Sequence, residues 1–122
     1  MKVPGFLLRR LYVKGSLENV NDGFRFQIKN QLGSGYAKAI HPLAVDGKEV
    51  PLESSYFSVD GKEFSFAAVG DDQPFTLAMN KATSISVHGE TLTPEPHTIT
   101  MSFDVAGLGT LSFDFKDVPT DV

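Results

Sequence analysis

Apolar and polar residues alternate with a period of two over several short stretches of the chain. Phe24-Arg25-Phe26-Gln27-Ile28-Lys29 puts Phe24, Phe26 and Ile28 on one face and polar or charged groups on the other. Ile99-Thr100-Met101-Ser102-Phe103-Asp104-Val105 and Leu111-Ser112-Phe113-Asp114-Phe115-Lys116 do the same, and Ile85 and Val87 give a shorter example. Side chains of a strand point to opposite faces in turn, so this pattern predicts antiparallel strands with one face in a core and one in water. No uninterrupted stretch carries a 3.6-residue apolar period over three turns, so no long helix is expected.

Turn chemistry falls between these stretches. Asn21-Asp22-Gly23 precedes the first alternating strand, with residues 11–20 as its expected hairpin partner, and Gly33-Ser34-Gly35 ends it. Asp46-Gly47 and Asp60-Gly61 are short-hairpin dipeptides, because a type I′ turn needs positive φ at both central residues. Gly107 and Gly109 join the last two strands. Val45-Asp46-Gly47-Lys48-Glu49-Val50 returns as Val59-Asp60-Gly61-Lys62-Glu63-Phe64. Two copies of one favoured turn explain this echo, since a repeat array needs about three copies to bury a core. Residues 70–82 are the least strand-like and predict a loop or a single helical turn after Pro74.

Composition supports the pattern. Val, Ile, Thr, Tyr and Phe make up 36 of the 122 residues, the types that pack best on a pleated surface. About eight or nine short strands at this spacing predict an all-β fold, an antiparallel, immunoglobulin-like β-sandwich in a single domain over residues 1–122. The absence of Cys excludes a disulfide framework, a zinc–thiolate site and a cysteine nucleophile. A net charge of −4 argues against a nucleic-acid footprint. No apolar run approaches the ~18 residues of a membrane span, and the three-residue apolar stretch before Arg9 and Arg10 is too short for a secretory signal. The expectation is a cytoplasmic protein that binds neither nucleic acid nor membrane.

Candidate chemistry is sparse. His41, His88 and His97 show none of the HxH, HxxxH or HExxH spacings that gather metal ligands on one element. Most acidic residues, among them Asp22, Asp46, Asp60, Asp71 and Asp72, sit in turns, where Asp caps its own backbone. Gly33-Ser34-Gly35 lacks the third glycine and the βαβ setting of a dinucleotide site. No catalytic, cofactor-binding or metal residue is therefore assigned, and no cofactor is expected. The N-terminal segment is richer: Phe6, Leu7, Leu8, Arg9, Arg10 and Tyr12 form a dense apolar and basic patch at a chain end. It reads as an edge strand folded onto the core, or as a docking segment within residues 1–10 and just beyond that anchors a partner through aromatic and Arg side chains.

Gly15-Ser16-Leu17-x-Asn19, then Gly23-Phe24-x-Phe26, Ile40, Leu43-x-Val45-Asp46-Gly47-x-x-Val50 and Gly89-x-x-Leu92-x-Pro94-x-x-His97-x-Ile99 resemble the small (β) subunit family of bacterial C-glycoside deglycosidases over roughly residues 11–105. That resemblance implies a β-sandwich paired with a larger TIM-barrel-like subunit that carries the metal and most catalytic residues. The chain is also similar to short bacterial proteins that carry the name hydroxymethylglutaryl-CoA reductase. That enzyme uses a Lys, Glu, Asp and His constellation on a far longer chain with a cofactor domain, and the residues here do not supply it. Leu92-Thr93-Pro94-Glu95-Pro96-His97-Thr98-Ile99 is similar to the entry into a late strand of immunoglobulin-like sandwiches, with Glu95 and Pro96 where Gly and a polar residue are more usual. The expected function is a non-catalytic accessory or interaction subunit, self-assembling or paired with a larger enzyme subunit. A carbohydrate-binding sandwich is the alternative, and a small enzyme with a His/carboxylate site a third.

Overall fold

Pro4 opens the described part of the computed structural model, which covers residues 4–121. Its carbonyl accepts from Leu7 and Leu8 N–H and starts a single helical turn, α1 (Gly5–Leu8), continued by a 3-10 turn at Arg9–Leu11. Leu8 and Leu11, three residues apart, therefore fall on one face and are buried together. The edge strand expected here is replaced by helical turns, because this three-residue spacing, not alternation, puts both leucines inside.

Twelve strands follow among the described residues: β1 (Glu18–Val20), β2 (Gly23–Lys29), β3 (Gly35–Ile40), β4 (Ala44–Val45), β5 (Lys48–Glu49), β6 (Ser55–Val59), β7 (Lys62–Ser65), β8 (Phe75–Leu77), β9 (Ala82–His88), β10 (His97–Val105), β11 (Gly109–Asp117) and β12 (Thr120–Asp121). The surplus over eight or nine comes from pieces two or three residues long, too short to show alternation. One sheet runs β12-β1-β2-β9-β6-β7. In the other, β11 lies along the whole of β10, while β4 and β3 follow one another along its opposite edge and β5 and β8 extend it outward. Almost every pairing is antiparallel; β1 with β12 is parallel. Two such sheets face to face are the all-β sandwich that the alternation predicts.

The register explains the core. Phe24, Phe26 and Ile28 on β2 meet Val87, Ile85 and Thr83 on β9, and Ile99, Met101 and Phe103 on β10 meet Phe115, Phe113 and Leu111 on β11. The apolar ones among these inward residues join one buried cluster with Phe57, Phe66 and Phe75. Asp46-Gly47 and Asp60-Gly61 have positive φ at both positions, so the two tight hairpins form as read. Residues 11–20 run along β2 as its expected partner, but with interruptions: Glu18–Val20 pair as a strand, Tyr12 bridges Ile28, and between them Gln27 accepts from Val13 N–H and donates to the Ser16 hydroxyl. The stretch after Pro74 is the strand β8, because Phe75 and Leu77 both point inward; the short helical turn lies earlier, at Phe66–Ala68.

Gly23 is the tightest backbone approach. A Cβ built there would lie 1.8 Å from the carbonyl oxygen of Val87 on the paired strand. Gly23→Ala must push β2 away from β9, and we expect a loss of about 2 kcal/mol or more in urea unfolding. A loss below about 0.5 kcal/mol would show that the two strands are not in this contact.

Candidate functional site

Tyr12 anchors the N-terminal segment. Its ring stacks on Phe115 at 3.6 Å between centroids, almost parallel, and meets Phe26 edge-on at 6.2 Å. Its hydroxyl donates to Asp117 Oδ2 at 2.7 Å and accepts from Leu17 N–H at 3.1 Å. Burial first, then the neighbouring carboxylate, push the Tyr12 hydroxyl up to about 12. Partial burial pushes Asp117 upward, but hydrogen bonds from Tyr12, Gly15 and Val118 outweigh it and hold the carboxyl below its usual range. Arg9 adds a second tie, donating from Nε to the Asp114 carbonyl at 2.7 Å and from a terminal nitrogen to Asp114 Oδ1 at 2.8 Å. Both charges are half exposed, so the pair sets orientation more than it stabilises.

The six residues singled out in this segment divide into two groups. Leu8 is 4% exposed and Tyr12 is packed on Phe115, so both are used inside the fold. Phe6, 69% exposed, and Arg10 point outward, Leu7 is half-buried, and Arg9 lies on β11. Leu8 and Leu11 floor a groove of about 230 Å³ at this end of the sandwich. Its rim carries Leu32 at 43% and Leu108 at 37% exposure. Sequence reading missed these two. Each is a lone leucine beside a glycine in a turn (Leu32-Gly33, Gly107-Leu108-Gly109), and a large apolar residue at a turn tip is the signal that finds them.

A second cluster surrounds the loop between β9 and β10. Asn19 exchanges two hydrogen bonds with the Leu92 backbone, each 2.8 Å. Asp46 accepts from Thr98 N–H through one oxygen and faces His97 Nδ1 at 2.7 Å through the other. His97 Nε2 lies 3.0 Å from both the hydroxyl and the carbonyl oxygen of Thr93. Hydroxyl, imidazole and carboxylate thus stand in the order of a nucleophile, a base and its orienting group. The Thr93 carbonyl beside Nε2 argues against that use. The hydrogen bond to Asp46, opposed by partial burial and helped by the Thr93 carbonyl, raises His97 above its ordinary value. An acceptor faces each ring nitrogen, Asp46 at Nδ1 and the Thr93 carbonyl at Nε2, so the protonated ring satisfies both and the arrangement suits a brace better than a base. The array is a clamp that holds the loop and starts β10 at His97 despite Glu95 and Pro96.

The other histidines are apart from it. His41 Nε2 contacts Asp104 at 2.9 Å, and Thr110 donates to the same oxygen. His88 lies near Asp22 and Glu63 and meets Tyr56 edge-on. Among the described residues no three His, Asp or Glu side chains converge as a metal site would need, and no helix is long and apolar enough to cross a membrane.

The family model of the hydroxymethylglutaryl-CoA reductase N-terminal domain matches residues 7–120. The chain belongs to this family. No curated protein matches it. The match agrees with the second of the two resemblances, to proteins carrying the reductase name, and nothing in these comparisons supports the C-glycoside deglycosidase family. The residues that carried that first resemblance have structural work instead: Asn19 holds Leu92, and Asp46 holds His97 and Thr98. The reductase-family description names the N-terminal domain and not the catalytic unit.

The clamp has a definite pH signature. His97 has a raised value in the fold, so its contribution is complete below about 6.5 and is lost as pH rises through that higher value. Asp46 is held below its ordinary 3.8, chiefly by Thr98 N–H and then by His97, so its contribution is lost as pH falls through the lowered value. An NMR titration of the imidazoles should place His97 above about 6.5, and Asp46→Asn should bring it back toward that value. An unshifted His97 in the wild-type protein would mean the clamp does not form.

Proposed function

We propose that the chain is a non-catalytic interaction domain that docks on a larger catalytic polypeptide through the end of the sandwich capped by α1. One observation carries this reading: Phe6 stands 69% exposed on a helical turn fixed to the body by Leu8, Leu11, Arg9 and Tyr12. Its helix also supplies the floor of the groove rimmed by Leu32 and Leu108. A large aromatic held outward on a rigid base loses little conformational entropy when a partner covers it, which is the character of an interface anchor. Arg10 beside it supplies a cation at the rim, where polar residues set register more than affinity. Membership of a family described as the N-terminal domain of an enzyme supports a role beside a catalytic unit, without chemistry of its own. The carbohydrate-binding alternative rests on Tyr36, 53% exposed next to Pro74 and Thr76, where a sugar face could stack.

Mass in solution tests the docking. The full chain, alone and mixed with the reductase catalytic polypeptide of the same organism, should form a complex of defined stoichiometry. Phe6→Ser should weaken it by about 2 kcal/mol, roughly thirtyfold in Kd, with the fold intact. A complex between copies of this chain that is equally sensitive to Phe6→Ser would assign the surface to self-assembly. A clean monomer at high concentration that does not bind the catalytic polypeptide would overturn the proposal.

A further inference from the structure

We propose that the open flank of the sandwich, between the free edges of β7 and β8, binds a small uncharged aromatic molecule carrying one hydrogen-bonding group. The inference is independent of the docking surface, which lies at the α1-capped end. Among the described residues β7 pairs only with β6 and β8 only with β3, so the sheets part along this flank and leave a cavity of about 400 Å³. That is within the roughly 300–1,000 Å³ usual for small-ligand sites. One wall is aromatic. Phe57 and Phe64 stack at 5.2 Å, and Phe57 meets Phe75 edge-on at 4.9 Å, so faces and edges are offered for another ring.

The polar groups say more about the occupant. Thr83 lies on the inward face of β9, is 3% exposed and lines the cavity. Asn30 and Ser55, the other buried polar side chains, are hydrogen-bonded within the protein. The Thr83 hydroxyl forms no hydrogen bond among the described residues, and no fully sealed polar side-chain atom there lacks a partner. The Thr83 hydroxyl is thus not sealed off, and among the residues lining this cavity Thr83 is the one buried polar side chain, with Gln73 and Thr76 at the more open margin. The ammonium of Lys81 at the rim is already held by Asp60 at 2.7 Å, and Asp72 at the margin disfavours an anion. An apolar ring system with one hydroxyl or N–H answers all of these features.

The probe is 2-naphthol, titrated into the isotope-labelled full chain and followed by amide chemical shifts. Saturable shifts should centre on Phe57, Phe64 and Thr83. Thr83→Val, which keeps the shape and removes the hydroxyl, should weaken binding about five- to tenfold, the worth of one neutral hydrogen bond. Naphthalene, which has no hydroxyl, should bind wild type and Thr83→Val alike. Ala78→Phe should abolish binding by filling the cavity; where that variant fails to fold, the Thr83→Val comparison decides. Shifts that do not saturate, shifts centred on Leu32 and Leu108, or equal affinity for 2-naphthol in Thr83→Val would overturn the proposal. So would a methyl glucoside that moves the same amides at lower concentration, which would assign the flank to sugars.

Discussion

The two ends of the chain are locked together by one aromatic side chain. Tyr12 lies flat on Phe115 and bonds Asp117, 105 residues away in sequence. Such a contact closes nearly the whole chain into a loop, at an entropic cost that one surface ion pair could not offset. It is met by several interactions in one place: stacking, a charge-assisted hydrogen bond, the Gly15 N–H on the same carboxylate, and the parallel pairing of β1 with β12. Once Tyr12 is fixed, Leu8 and Leu11 are carried over the end of the core and Phe6 is carried out of it. The exposure of Phe6 is thus a consequence of where the lock sits.

The same sandwich is finished unevenly. On one side the β9–β10 loop is braced twice, by Asn19 on Leu92 and by Asp46 on His97 and Thr98. At the β7–β8 flank no strand pairing joins the two sheet edges among the described residues, and Gln73, Pro74 and the Lys81–Asp60 pair stand at the border of the gap. A free strand edge invites pairing unless it is short or charged. β8 has three residues and β7 begins with Lys62-Glu63, so both edges are protected against strand addition while the space between them stays open. This makes the flank better suited to a small molecule than to an added strand.

Much of the architecture is legible in alternation and turn chemistry. Phe24, Phe26, Phe57, Phe103, Phe113 and Phe115 can be assigned to the core from their parity alone, and all six are buried. The Asp-Gly pairs announce their hairpins because few other dipeptides tolerate positive φ twice. What stays hidden is short or non-local. β8 has too few residues to display a period, and the turn at α1 rests on one three-residue spacing that a strand reading equally accommodates. The groove rim joins Leu32 to Leu108 through the fold, and no local pattern links them. Thr83 looks like any strand threonine until its parity with Ile85 and Val87 is set against the gap it faces.

Resemblance at the level of sequence is bounded by the same physics. Asn19, Asp46, Leu92 and His97 stand out because their types and spacings are restricted, and the restriction is that of braces: a side chain must reach a particular backbone group across the sandwich. Any protein that solves the loop in this way shares these positions whatever it binds, so they speak to fold. Hydroxymethylglutaryl-CoA reductase N-terminal domain membership is of this kind, since it rests on a match along nearly the whole sandwich. Features that the fold itself does not require carry more functional weight. Phe6 contributes little to the core that Leu8 and Leu11 do not already supply, and a valine at position 83 would satisfy the β9 face as well as threonine does. An aromatic held in water and a hydroxyl held in an apolar gap both oppose the stability of the isolated domain. Each becomes favourable when something covers it, and the two are built from different residues, Phe6 with Leu32 and Leu108 at one and Phe57, Phe64 and Thr83 at the other.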